Sequence, residues 1–208
     1  MLRPGDVFLD VGANIGIFTV YAGYRVGTTG KVFAVEPHLP TSVETLKNVA
    51  ANNLGGVVSV LAVALAKQEG IAPFRYRRWS EGASGSQIGV QGGENIQAPV
   101  GEELKSVFSI DTLVERGIVS PPALIKIDTD GVDMLIAEGM TELLKCAHRP
   151  RSILIEVQSG TREAQESFMQ AHGYEIVTKY YGNKARFLQQ SGFDPDTIPF
   201  NARFEPTA

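Results

Sequence analysis

The 208-residue sequence has little of several features that mark specialised classes of protein. It contains one cysteine, Cys146, which excludes an internal disulfide framework and makes a reducing compartment the expectation. It has no run of about 18 apolar residues that could span a membrane, and its N-terminus lacks the basic and then apolar layout of a signal peptide. We therefore expect a cytoplasmic protein without a membrane partner.

A large excess of charge of one sign is also absent. The 19 basic and 23 acidic residues give a net charge of −4, whereas sequence-independent binding of nucleic acid normally requires a basic surface. We therefore expect no nucleic-acid partner. What the sequence does have is a 43% share of hydrophobic residues, which is enough for a chain of this length to fold as one domain over residues 1–208.

Short β-branched runs alternate with amphipathic stretches, a pattern typical of α/β proteins with a mostly parallel sheet. The first helix is apolar nearly all round, so we expect it to be buried. The pattern predicts a doubly wound, Rossmann-like sheet of seven strands with helices on both faces and the last strand antiparallel. The predicted strands cover residues 7–11, 31–35, 57–66, 124–128 and 153–157, closed by an antiparallel pair at 175–177 and 185–188, and the predicted helices cover 14–26, 41–53, 132–144 and 161–172.

Residues 74–107 carry the weakest pattern of the chain and are rich in Gly, Ser and Gln. We expect them to form an excursion outside the sheet, on the substrate side, because long excursions in a compact domain are usually functional or mobile. The excursion opens with Arg75, Arg77 and Arg78 interleaved with Tyr76 and Trp79. Such a run suits binding of a phosphate or a ring, for instance in a nucleotide-linked sugar. The alternative is an alternating strand whose arginines face solvent.

The strongest local signal is Asp-Val-Gly-Ala-Asn-Ile-Gly at residues 10–16, where the first strand turns into the first helix. Ligands of open α/β sheets bind at the carboxyl ends of the strands. Gly12 allows close approach of a ligand, and Gly16 allows the helix to pack tightly on the sheet. Glu36, followed by Pro37, ends the second strand, where a carboxylate can accept hydrogen bonds from two ribose hydroxyls. The pattern therefore indicates a bound nucleoside, the alternative being a tight turn and a solvated strand end.

The same turn discriminates between nucleoside ligands. A dinucleotide needs a G-x-G-x-x-G turn that admits a pyrophosphate, but Asn14 stands at the second glycine position and the turn has no Arg or Lys. Asp10 would repel a phosphate and suits a cationic amino group, such as the methionyl end of S-adenosylmethionine. We predict that Asp10, Gly12, Asn14, Gly16 and Glu36, with the adjoining Pro37, hold this cofactor.

The sequence resembles the FkbM-type S-adenosylmethionine-dependent methyltransferases over residues 5 to about 158. The most specific match is Lys-Ile-Asp-Thr-Asp-Gly-Val-Asp at residues 126–133, which looks like the family's Lys-Ile-Asp-x-Glu-Gly-x-Glu motif. Asp130 and Asp133 stand where the family usually has glutamates, and only nine residues precede Asp10. We therefore expect either a fragment or an unusually open substrate side. The matching segments are residues 10–16, 18–19, 35–37, 46, 48, 53, 64–65, 109–113, 124–133 and 155–156.

The resemblance implies an enzyme that methylates a hydroxyl on a sugar or another small molecule. Lys126 and Asp128 lie two apart on a predicted strand and so point to the same face. We expect Asp128 to take the acceptor's proton or bind the cofactor and Lys126 to orient it, with Glu156 as a second candidate base. The alternative is a structural ion pair between Lys126 and Asp128. We predict no bound metal, although Asp128 and Asp130 leave a carboxylate-held divalent cation open.

Two other classes of function stay open at this point. A nicotinamide-dependent oxidoreductase is disfavoured by Asn14 and by the position of Tyr180 and Lys184, which have Tyr-x-x-x-Lys spacing but fall on a late β-like stretch. A catalytically inactive cofactor-binding or interaction domain is the third alternative. Neither the identity of the acceptor nor the oligomeric state follows from the sequence.

Overall fold

A computed structural model describes residues 1–89, 98–158, 160–194 and 197–207. The strands in these residues are β1 (Val7–Val11), β2 (Lys31–Val35), β3 (Val58–Leu61), β4 (Ala64–Leu65), β5 (Gly70–Tyr76), β6 (Gln87–Ile88), β7 (Gly101–Phe108), β8 (Leu124–Ile127), β9 (Ser152–Val157), β10 (Tyr174–Tyr180) and β11 (Phe200–Pro206). The helices are α1 (Ile17–Val26), α2 (Leu39–Ala51), α3 (Ile110–Glu115), α4 (Asp133–Glu138), α5 (Thr141–Lys145), α6 (Arg162–Ala171) and α7 (Asn183–Gln190). None of the described helices is long and apolar enough to cross a membrane.

Seven strands form a central sheet in the order β10-β11-β9-β8-β1-β2-β3. The pairs β3–β2, β2–β1, β1–β8 and β8–β9 are parallel, and β11 runs antiparallel to both β9 and β10. β1 lies inside the sheet between β8 and β2 and is almost wholly buried, since both faces of a parallel sheet are covered by other elements. The predicted seven-stranded, mostly parallel sheet with an antiparallel last strand is confirmed.

The predicted closing pair at residues 175–177 and 185–188 is wrong in its second member. Residues 185–188 lie in α7, and the antiparallel partner of β10 is β11. A segment of four residues with mixed polarity is too short to show whether its apolar residues recur every 2 positions, as in a strand, or every 3.6 positions, as in a helix. In the helix, Ala185 is buried while Phe187 is 67% exposed.

The third predicted strand, over residues 57–66, is two strands in two sheets. β3 ends at Leu61 beside β2, and β4 begins at Ala64 in a second sheet of order β4-β7-β5-β6. Residues 74–107 therefore leave the central sheet, but much of this excursion is the second sheet, in which β5 pairs with β7 from Gly70 to Tyr76. The middle of the excursion, residues 90–97, falls outside the described residues.

Helix α1 departs from expectation in its start and in its burial. Residues 14–16 form a turn instead of the first helical turn, because Asn14 and Gly16 have φ values of 51° and 87°, which an α-helix cannot contain. The helix buries Ala22 and Val26, whereas a second face is open to solvent. The exposed large side chains on that face are Ile17, Phe18, Tyr21 and Tyr24.

The remaining helices differ from expectation at their ends. α2 begins two residues early because the His38 side chain caps it, accepting a hydrogen bond from the Thr41 amide at 3.3 Å. The single helix expected over 132–144 is α4 and α5, separated at Gly139. A Cβ atom on Gly139 would lie 2.5 Å from the carbonyl oxygen of Ala66, the residue after β4. Glycine therefore allows the end of β4 to pack closely against the segment between α4 and α5.

Candidate cofactor and active site

The carboxyl ends of β1, β2 and β8 meet at one edge of the central sheet and surround a cavity of about 300 Å³. The structure places some of the predicted site residues in its wall and others behind it. Asp10, Gly16 and Lys126 lie behind the wall. The predicted residues that line the cavity are Gly12, Asn14, Glu36, Pro37, Asp128 and Glu156.

Gly12 is held in a conformation that only glycine adopts easily, with φ at +72°. A Cβ atom at this position would lie 2.0 Å from the carbonyl oxygen of Asp128. The glycine therefore lets the end of β1 lie against the backbone that leaves β8. Glycine is therefore required at position 12 for contact between two backbone segments. From the sequence, the predicted reason was contact with a ligand.

Gly16 also packs differently from expectation. A Cβ atom there would lie 2.9 Å from the Thr45 methyl group, so Gly16 makes room for α2 and not for the sheet. The single proton of the Thr45 hydroxyl is shared between the carbonyl oxygens of Asn14 and Thr41. These contacts join the β1–α1 turn to the start of α2.

Glu36 is buried and accepts two backbone hydrogen bonds, so it is not a solvated strand end. One carboxylate oxygen accepts from the Asn14 amide and the other from the His38 amide, each at 2.9 Å. Burial raises the pKa of the Glu36 carboxyl, and these two hydrogen bonds oppose the shift. Each oxygen keeps a further lone pair for a hydroxyl donor. Glu36 thus joins the turns after β1 and β2 and still faces the cavity.

Lys126 lies between two carboxylates, although the sequence indicated only one of them. Its Nζ is 3.3 Å from Asp128 Oδ2 and 3.4 Å from Asp10 Oδ1. Asp10 stands opposite Lys126 in the β1–β8 ladder, is fully buried, and accepts a 2.6 Å hydrogen bond from the Thr19 hydroxyl. Burial raises the pKa of Asp10, and the charge of Lys126 opposes the shift. The ring of Phe18 covers Lys126 at 5.3 Å.

Further carboxylates surround the same edge. Asp133 is buried in the first turn of α4 and accepts a 3.0 Å hydrogen bond from the Thr129 amide. Burial raises the pKa of Asp133 to about 7. Burial also raises the pKa of Glu156, against a hydrogen bond from Gln158. Among the described residues, no three acidic, His or Cys side chains are grouped as a metal ion would require.

Residues 77–86, which we call the strap, run beside this cavity, and Ala83, Ser84 and Ser86 line it. They belong to the excursion that the sequence places on the substrate side, but their contacts with the rest of the site were not predicted. His38 Nε2 donates to the Arg78 carbonyl oxygen at 2.8 Å, so Nε2 carries the ring proton and Nδ1 accepts. The Thr41 hydroxyl accepts from the Gly82 amide at 3.1 Å. Asp130 accepts from the Gly85 amide. The strap is therefore tied to the loops after β2 and β8, and no local sequence pattern marks these partners.

The model of the methyltransferase FkbM domain matches residues 10–183. The chain belongs to the FkbM methyltransferase family. This confirms the family and the fold class that the sequence motifs predict.

The relatives agree with the assignment. Hexuronic acid methyltransferase AglP of Haloferax volcanii is 28% identical over 155 residues, which are 74% of this chain and 57% of AglP. The 31-O-demethyl-FK506 methyltransferase FkbM of Streptomyces tacrolimicus is 29% identical over 205 residues, 86% of this chain and 76% of that protein. The chain thus spans little more than half the length of AglP.

Solved structures share the fold at low sequence identity. Methyltransferase FkbM of Methylobacillus flagellatus has a TM-score of 0.59 at 17% identity, over 98% of this chain and 44% of that one. Aeropyrum pernix fibrillarin, solved with S-adenosyl-L-methionine bound, has a TM-score of 0.53 at 11% identity, over 97% and 67%.

Proposed function

We propose that this chain transfers a methyl group from S-adenosylmethionine to a hydroxyl of a sugar or another small molecule. The observation that carries the proposal is Glu36, a buried carboxylate that ends β2, is held by the amides of both neighbouring turns and faces a cavity of about 300 Å³. That volume is at the lower end of the range of small-molecule sites. The hexuronic acid and 31-O-demethyl-FK506 in the names of two relatives support a hydroxylated small-molecule acceptor.

The residues at the cavity fit the cofactor. We assign Gly12, Asn14, Glu36, Pro37 and Asp128 to its binding, with Glu36 accepting from the ribose hydroxyls. When bound, S-adenosylmethionine supplies an electrophilic methyl group on a positively charged sulfonium. The acidic wall complements that charge, because Glu36, Asp128, Asp130 and Glu156 all line the cavity. Asp10 and Gly16 support the site from behind, through Lys126 and Thr45.

Lys126, Asp128 and Glu156 are the residues to which we assign the chemistry. In-line transfer needs mainly alignment of donor and acceptor, and a hydroxyl acceptor also needs a group that takes its proton. Glu156 lines the cavity, and burial raises the pKa of its carboxyl, which makes the carboxylate a stronger base. Asp128 is 46% exposed on the other side of the cavity edge, and Lys126 holds it. Here Lys126 is a positioning residue.

The test is calorimetric titration of S-adenosylmethionine and S-adenosylhomocysteine into the wild type and Glu36→Ala. Loss of the ribose hydrogen bonds should weaken binding by about 1.5–3 kcal/mol, about tenfold or more. Glu44→Ala is the matched control, because Glu44 lies on α2 and its carboxylate pairs with Lys47. Thermal unfolding of each variant checks that the turns joined by Glu36 stay folded at the titration temperature. Wild-type protein that binds neither compound, or Glu36→Ala that binds as tightly as wild type, would contradict the proposal.

A further inference from the structure

We infer that the strap holds a second binding site, for an anionic group on the methyl acceptor, and that Arg77 and Arg78 bind this group. The inference rests on the proposed function and specifies its acceptor as a small hydroxylated molecule with a carboxylate or a phosphate. The strap lines an open cavity of about 320 Å³ that adjoins the cofactor cavity. Its lining includes Arg77, Arg78, Ser80, Glu81 and Ser84.

The two cavities are neighbours. Ala83 and Ser84 line both of them, so the two cavities adjoin at these two residues. The strap also packs on the cofactor-binding turn, since a Cβ atom on Gly82 would lie 3.3 Å from the Ile15 side chain. An acceptor can therefore place one end in each cavity.

The arginines of the strap differ from the arginine just before them. Arg75 forms a 2.9 Å ion pair with Glu102 across the β5–β7 ladder. Arg77 and Arg78 are exposed, and neither forms an ion pair with a carboxylate in the part of the chain that the structure describes. Their guanidinium groups stay available for a carboxylate or a phosphate, which an arginine binds through two parallel hydrogen bonds.

Arg77 is also held in place, as a binding residue needs to be. Its side chain lies over Gly85, where a Cβ atom would be 2.9 Å from Nη1 and from Cδ. Its amide donates to the Ser86 hydroxyl at 3.2 Å. The hydroxyls of Ser80 and Ser84 add donors to the same cavity, and Glu81 is its single carboxylate among the described residues.

The distribution of charge orients such an acceptor. Four carboxylates line the cofactor cavity and repel an anion, whereas two arginines against one glutamate line the strap cavity. The anionic end of the acceptor therefore stays at the strap, and a hydroxyl elsewhere on the molecule extends toward the cofactor. A neutral acceptor would have no such preference between its two ends.

The experiment compares three probes by NMR titration of protein saturated with S-adenosylhomocysteine. They are methyl glucuronoside, glucose 6-phosphate and the neutral methyl glucoside. We expect either or both anionic probes to bind at least about tenfold more tightly than methyl glucoside, and the tighter of the two identifies the anionic group. Arg77→Gln with Arg78→Gln should remove the difference. The control, Arg3→Gln with Arg25→Gln, removes the same charge from exposed positions at the opposite edge of the sheet and should leave it unchanged.

Two results would overturn the inference. One is affinity for the anionic probes no greater than for methyl glucoside, including no binding by any of them. The other is an anion preference that survives in the Arg77→Gln, Arg78→Gln variant. The same titrations without S-adenosylhomocysteine separate the two proposals. Anion binding by a protein that binds no S-adenosylhomocysteine contradicts the methyltransferase proposal, whereas S-adenosylhomocysteine binding without anion preference contradicts this one alone.

Discussion

At the scale of single residues, the geometry of the site depends on one close backbone contact, between Gly12 and the carbonyl of Asp128. The contact brings the ends of β1 and β8 together and places Asp128 at the cavity. Any side chain at position 12 meets both a strained φ and an occupied space. Gly117 offers a comparison, since its φ is a similar +67° but nothing lies within 4 Å of its added Cβ.

The first prediction uses these two glycines as a matched pair. Gly117→Ala should cost about 1–2 kcal/mol of unfolding free energy, which is the cost of a left-handed conformation for an alanine. Gly12→Ala should cost about 1–3 kcal/mol more, because the Cβ overlaps the Asp128 carbonyl, and should weaken S-adenosylhomocysteine binding. Urea denaturation and calorimetry measure the two effects. Equal destabilisation by both substitutions would show that the close approach is unimportant.

At the scale of elements, the strap is the segment whose position matters most for the site. Its two described anchors on α2 and the preceding loop are Thr41 and His38, and its Trp79 ring stacks on Tyr76 at 4.3 Å between ring centres. Between these anchors and Asp130, the strap contributes Ala83, Ser84 and Ser86 to the cavity wall. We therefore expect ligand binding in the cavity to depend on how firmly the strap is held.

The second prediction tests this through Thr41→Val, which removes the hydroxyl that accepts from the Gly82 amide. The same hydroxyl lies 2.7 Å from His38 Nδ1, so the substitution also removes a hydrogen bond to the second anchor. Hydrogen exchange over residues 77–86 should become faster, and S-adenosylhomocysteine should dissociate faster, because each lost hydrogen bond is worth about 1 kcal/mol. Ser42→Ala is the control, since the Ser42 hydroxyl donates to the Leu39 carbonyl and leaves the strap untouched. Unchanged exchange in Thr41→Val would mean that the other anchors hold the strap alone.

At the scale of the whole molecule, distant parts of the chain are joined across the sheet. The first strand, β1, lies inside the sheet between β8 and β2, and the last, β11, inserts between β9 and β10. At the opposite edge from the site, Arg151 Nη1 donates to Asp6 Oδ1 at 2.9 Å, which ties the residues before β1 and β9 together across β8. Burial would raise the pKa of Asp6, but the hydrogen bonds and charge of Arg151 and the Arg3 amide lower it overall.

The third prediction follows from the sign of that shift. A carboxyl with a lowered pKa stabilises the fold above its ordinary pKa of about 4 and loses this contribution as the pH falls. Asp6→Asn should cost about 1–2 kcal/mol at pH 7, and the difference from wild type should shrink below about pH 4. Glu69→Gln, which breaks the exposed pair with Arg116, should cost less than about 1 kcal/mol. A pH-independent difference for Asp6→Asn would contradict the argument.

Local sequence was enough to predict the parts of the candidate site that are marked by short motifs. The turn at residues 10–16 and Glu36 at the end of β2 were predicted, and they line or support one cavity. The second partner of Lys126 was not, because Asp10 is 116 positions away and only the β1–β8 register brings the two together. The hydrogen bonds that anchor the strap were not predicted for the same reason.

The sequence by itself determined the family and the parallel α/β class and predicted the cofactor, because each depends on residue types at short spacing and on hydrophobic periods within single elements. The tertiary structure decided the partner of β10, the division of residues 57–66 between two sheets, the Asp10–Lys126 contact and the position of the strap beside the cavity. These depend on contacts between residues far apart in the chain, whose geometry is set by sheet order and packing. Periodicity within one element carries no information about them.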